Sequence, residues 1–160
     1  VIVEITESST LRDPDRTCAL LQEITDKDIR LAIDDFGTGF SSLSRLRDIP
    51  AEILKIDRSF VSGVSGSPDG QAFVRAIIQL AKNLGMIPHA EGIENEDERE
   101  FLIANGCDQG QGYLFAKPMA PEDIPRFNFS SQSASGVPLL LPADTGLDPR
   151  VDLPLRAGGG

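Results

Sequence analysis

Histidine and cysteine are almost missing from this chain. It has one histidine, His89, and two cysteines, Cys18 and Cys107, in 160 residues. The cysteines sit in apolar contexts without metal-ligand spacing, so they read as buried free thiols rather than a thiolate metal centre. Positive charge is also scarce. Fifteen Lys and Arg stand against 25 Asp and Glu, giving a net charge of -10 and a pI near 4.5. That balance excludes a nucleic-acid polymer as the partner. Long apolar runs are absent too. The leucines at 139–141 are too few to span a membrane, and no signal peptide or internal repeat is found. A cytoplasmic protein is expected.

What the chain does have is clustered acid at the ends of apolar runs. Residues 31–43 read LAIDDFGTGFSSL. The apolar stretch predicts a buried strand ending in Asp34 and Asp35, followed by a turn in which Gly37 and Gly39 bracket Thr38. A helix start is expected at Ser41 and Ser42. An Asp-Asp pair alone also suits a solvated turn or a helix cap. Beyond a buried strand, two neighbouring acids repel unless a proton or a cation intervenes, so a bound metal is the natural expectation.

Three more segments share the pattern. VIVEITES at 1–8 carries Glu4 and Glu7, ILKIDRSFV at 53–61 carries Lys55 and Asp57, and IPHAEGIEN at 87–95 carries Glu91 and Glu94. Lys55 lies between Leu54 and Ile56, where a charge is costly unless it faces a polar interior. His89, two residues before Glu91, reads as a histidine satisfied in the core. Pro88 is unusual for a central strand, because it lacks a ladder donor. Glu94 could be a capping residue and Gln111 a plain turn residue.

Helical patterns lie between the runs. Phe73, Ile77, Leu80, Ala81 and Leu84 recur at helical spacing over 71–84, with Gly85 as a stop. Cys18, Leu21 and Ile24 form an earlier stripe, with Asp15 in its first turn. Asn95 suits a cap for a helix over about 96–105 that ends at Asn105-Gly106. The acidic cluster at 94–100 looks like its solvated start. Strands alternating with helices predict an α/β fold with a parallel sheet.

The motifs EITES, DDFGTGFSSL, LKIDRSFV, AEGIE and GQGYLFAKP, in that order, resemble the EAL domain family. The resemblance runs from residue 1 to 127. It implies part of a modified (β/α)8 barrel, about its last five strands, and a metal-dependent phosphodiesterase that hydrolyses cyclic-di-GMP to linear pGpG. It implies Glu4, Asp34, Asp35 and Glu91 as ligands of a two-metal Mg2+ or Mn2+ site. Glu91 would also be the general base, with Lys55 beside the attacking water and Glu94 as a further catalytic position. Glu7, Asp57, Gln111 and the loop residues Phe36, Gly37, Thr38 and Gly39 would support substrate and loop. Oxygen donors suit such hard ions, and two ions roughly 3.5–4 Å apart can activate a bridging water.

The resemblance also implies a homodimer and an upstream sensor or GGDEF domain, through which any membrane anchoring would come. The namesake Glu-Ala-Leu segment and an asparagine ligand are not found, and Val1 opens inside a strand. The chain is therefore expected to be the C-terminal part of a longer protein, and poorly folded or inactive alone. The alternative is a catalytically inactive receptor for cyclic-di-GMP or a protein-interaction module. Residues 128–160, rich in Ser, Pro, Gly and Leu, are expected to form a disordered or weakly docked tail.

Overall fold

Strands and helices alternate along the chain, as the charge-terminated apolar runs predict. The computed structural model describes residues 1–6, 14–38, 46–120, 123, 153 and 154. Strand β1 spans Ile2–Thr6, helix α1 Pro14–Thr25 and strand β2 Arg30–Phe36. Strand β3 spans Ile53–Ile56, followed by the short helix α2, Arg58–Val61, and helix α3, Pro68–Asn83. Strand β4, Ile87–Ala90, helix α4, Glu96–Ala104, and strand β5, Gln109–Gly110, complete the series. Strands β1 to β5 are parallel and adjacent in chain order. Sequential parallel strands with helical crossovers form part of an α/β barrel wall.

The two faces of the sheet divide the labour. Leu31, Ile33, Leu54, Ile56 and Ala90 join Leu21 of α1, Val74, Ile77, Ile78 and Ala81 of α3 and Leu102 of α4 in one buried cluster. Each large aliphatic side chain there contributes about 2 kcal/mol by leaving water. Strand side chains alternate with period two. The opposite face therefore carries Glu4, Ala32, Asp34, Ile53, Lys55 and His89.

Several elements differ from expectation. The run over 53–61 does not continue as one strand. Asp57 ends it by capping α2, its carboxylate accepting from the Ser59 amide at 2.9 Å. In α3 the buried stripe is Val74, Ile77, Ile78 and Ala81. Phe73 is instead 43% exposed and packs on the Phe60 ring at 4.7 Å. Pro88 is accommodated because the bonds from β4 to β3 come from alternate residues. Ile87 N donates to Glu52 O and Glu91 N to Ile56 O. Asn95 caps α4, accepting from Glu98 N at 3.0 Å. Gly85 and Gly106 take positive φ at the ends of α3 and α4.

The acidic start of α4 is not uniformly solvated, for Glu98 is only 2% exposed. Within the expected tail, Leu153–Pro154 pairs antiparallel with β5 as strand β6. The remainder of 128–160 lies outside the described residues. So do Glu7, Gly39, Ser41 and Ser42. No described helix is long and apolar enough to cross a membrane.

Candidate functional site

The site begins with an irregularity in β2. Ile33 pairs with Leu54 and Phe36 with Ile56, so β2 spends one residue more than β3 over this stretch. The extra residue is a β-bulge. Asp35 adopts φ 55 within it, a left-handed conformation that Asp tolerates better than most residues. In a regular strand Asp34 and Asp35 would point to opposite faces. Here one oxygen each from Asp34, Asp35 and Glu91 lie within 4.8 Å of one another. Thr38 closes the turn after the bulge, its hydroxyl donating to Asp35 O at 2.8 Å. Gly37, at φ 97, sits against Phe60. Phe36 is buried in the helix-facing cluster.

Lys55 is the positive centre. Its Nζ lies 2.7 Å from Glu4 Oε1, 2.9 Å from Asp34 Oδ1 and 2.8 Å from Glu91 Oε1. The Asp34 contact is an ion pair without hydrogen-bond alignment, although that oxygen is buried. Burial of Lys55 works against its charge, but its close contacts with the Glu4, Glu91 and Asp34 carboxylates outweigh it and hold the ammonium well above its ordinary range. Glu91 shifts upward. Burial is the main cause, and the charges of Asp34 and Glu4 add to it against the pull of Lys55. Three carboxylates share one ammonium, so a surplus of negative charge remains.

That surplus, with three convergent carboxylate oxygens, fits a hard divalent cation. Asp34, Asp35 and Glu91 could hold it. Glu4 joins the group through Lys55, with its side chain 45% exposed.

The remaining expected residues fall around this centre. Gln111 Nε2 donates to Glu91 Oε1 at 2.8 Å, so it holds the carboxylate in place. Glu94 is turned to Arg58, whose Nη2 donates to its Oε1 at 2.6 Å. Asp57 bonds the amide and hydroxyl of Ser59, and the hydroxyl bond leads the causes that lower its pKa. His89 is buried beside Lys55 and Gln109 in the strand register, its Nδ1 3.5 Å from Gln109 Oε1.

Two features were not read from the sequence. One is the bulge that brings an oxygen of each aspartate near Glu91. The other is Glu98, which accepts from Gly63 N and Glu94 N. The Asn95-x-x-Glu98 spacing of a capping box was its available signal.

The sequence profile of the EAL domain matches residues 1–118. The bifunctional diguanylate cyclase/cyclic di-GMP phosphodiesterase MucR of Pseudomonas aeruginosa is 41% identical over 124 residues, 78% of this chain and 18% of that protein. The cyclic di-GMP phosphodiesterase PdeR of Escherichia coli is 40% identical over 117 residues, 73% of this chain and 18% of PdeR. The chain thus spans less than a fifth of the length of these two relatives. Among solved structures, the c-di-GMP complex of the PaMucR phosphodiesterase superposes with TM-score 0.73 at 41% identity, over 77% of this chain and 50% of that one. The EAL domain of Mycobacterium smegmatis DcpA gives TM-score 0.75 at 40% identity, over 79% and 56%. The acidic strand ends, the parallel wall that presents them and these similarities agree: the chain belongs to the EAL domain family.

Proposed function

We propose that the chain carries part of the active site of a cyclic-di-GMP phosphodiesterase that yields linear pGpG. The observation that carries this reading is the convergence of Asp34, Asp35 and Glu91 beside Lys55. Asp34, Asp35 and Glu91, with Glu4, would hold two Mg2+ or Mn2+ ions. Such ions, when bound, supply an activated water and neutralise the anionic phosphodiester. Glu91, with its raised pKa, is suited to take a proton from the attacking water. Gln111 orients Glu91 by its hydrogen bond. Lys55 offers a fixed positive charge for the phosphoryl oxygens. Glu94 and Asp57 act from the margin through Arg58 and Ser59, with Phe36, Gly37 and Thr38 shaping the adjoining loop. A homodimer accompanies this reading and is checked by sedimentation.

A second reading is a receptor that binds the dinucleotide without cleaving it. Glu4 favours it, since its carboxylate pairs with Lys55 and lies outside the convergent Asp34, Asp35 and Glu91 oxygens. For the same reason we propose that turnover by these 160 residues alone is slow. The test is to incubate the chain and its Glu91→Gln variant with cyclic-di-GMP and Mn2+, measuring binding by calorimetry and the linear product by chromatography. Turnover lost in Glu91→Gln with binding retained supports the enzyme. Binding with no turnover at any Mg2+ or Mn2+ concentration supports the receptor. No binding defeats both.

A further inference from the structure

Glu98 is a carboxylate buried away from the cluster around Lys55, and it bridges two segments that approach that cluster. Its Oε1 accepts from Gly63 N at 2.8 Å and its Oε2 from Glu94 N at 2.9 Å. Gly63 follows α2, the helix that begins just past Lys55. Glu94 ends the short loop that carries Glu91. A single buried side chain therefore joins the segment after β3 to the segment after β4.

The loop between these points is also held by the Glu91 side chain, through Lys55 and Gln111, and by Leu114 N, which donates to Ile93 O at 3.0 Å. Glu91 N donates to Ile56 O at 3.1 Å and Ile93 N to Gln111 O at 3.0 Å. Arg58 packs against Gly92, where an added Cβ would lie 2.3 Å from Arg58 Cγ, and pairs with Glu94. That ion pair is largely exposed, and such pairs contribute little. Burial disfavours the Glu98 charge, but the bonds from Glu94 and Gly63 outweigh it and lower its pKa. Charge-assisted bonds to backbone amides are the stronger kind.

We propose that Glu98 is a positioning residue that staples the Glu91 loop to the turn at Gly63, and so sets Glu91 against Lys55. Its importance for chemistry rests on the functional reading above; the staple itself does not.

The test is amide hydrogen exchange by NMR on the whole chain as wild type, Glu98→Gln and Glu98→Ala. Glu98→Ala is expected to speed exchange at Glu91 and Ile93 by about tenfold, with Leu54 and Ile78 unchanged. Glu98→Gln keeps one acceptor oxygen and is expected to fall between. Acceleration spread equally over Leu54 and Ile78 marks a merely structural role and overturns the proposal. Unchanged exchange at Glu91 and Ile93 also overturns it. A second readout is Mn2+ affinity, followed by the electron paramagnetic resonance of the free ion. Loss of the staple is expected to weaken it about tenfold, and equal affinity in wild type and Glu98→Ala overturns the proposal. A wild type that binds no Mn2+ defeats the functional reading, and amide exchange then decides the staple by itself.

Discussion

Asp34 and Asp35 are chain neighbours whose carboxylates reach the same point, each with an oxygen within 4.8 Å of the other and of Glu91. The bulge between Ile33 and Phe36 and the left-handed backbone of Asp35 make this possible. A β-branched residue at that φ is strained. Asp35→Val is expected to lose about 2 kcal/mol of stability in urea denaturation, while Asp35→Asn loses much less. Both are expected to weaken Mn2+ binding. A Val variant as stable as wild type would show that the left-handed turn is not required.

Lys55 is the ammonium on which Glu4, Asp34 and Glu91 converge. Lys55→Met leaves those carboxylates to repel one another at a partly dry site. Removing one partner of a buried pair costs about 3 kcal/mol. A divalent cation bound to the folded state restores stability by mass action. The melting temperature of Lys55→Met should therefore rise more on adding Mn2+ than that of wild type. Equal shifts in the two proteins would argue against cation binding beside Lys55.

Glu98 and Glu91 bend the pH dependence of stability in opposite senses. Glu98 has a depressed pKa when folded. Its contribution is present above its ordinary value of 4.5 and is lost as pH falls through the lower folded value. Glu91 has a raised pKa, so its contribution is present below 4.5 and is lost as pH rises through the folded value. In melting curves recorded against pH, Glu98→Gln should flatten the acid limb. Glu91→Gln should flatten the decline above 4.5. A Glu98→Gln profile parallel to wild type below pH 4.5 would contradict the assignment.

Gly112 lies against the loop that carries Glu91. A Cβ there would stand 2.1 Å from Ile93 O and 2.2 Å from Ile93 N, both backbone atoms. Neither can move without breaking the bonds from Ile93 N to Gln111 O and from Leu114 N to Ile93 O. Gly112→Ala is expected to cost about 3 kcal/mol or more, measured by urea denaturation, and to free Gln111 from Glu91. Near-wild-type stability would mean the two loops pack less closely than this.

The parallel sheet was legible from apolar runs ending in charge, since parallel strands covered on both faces read as short, near-continuous apolar runs. The capping of α4 was legible in Asn95, and the stops at Gly85 and Gly106 in glycine itself. On α3, Ile77 and Ala81 of the expected stripe are buried and Leu80 and Leu84 pack against the core, but Phe73 does not join it. Phe73 and Val74 are both apolar, and only the neighbour across the interface decides which turns inward. Phe73 found Phe60, while Val74 took the core. Glu98 was read with its solvated neighbours because its partners, Gly63 and Glu94, are backbone amides that no side-chain pattern announces.

The sequence alone determined which chemistry the chain could hold. It placed Glu4, Asp34, Asp35, Lys55 and Glu91 within or just past short apolar runs, in a chain scarce in competing histidine or thiol donors. Those residue types suit a hard cation better than a soft one. Only the tertiary structure decided which of them meet. Parallel pairing set Lys55 between β2 and β4, a bulge turned Asp35 beside Asp34, and Glu98 tied the Glu91 loop in place. The reason is physical: residue type carries charge and polarity, whereas distance depends on register, backbone conformation and contacts between segments far apart in the chain.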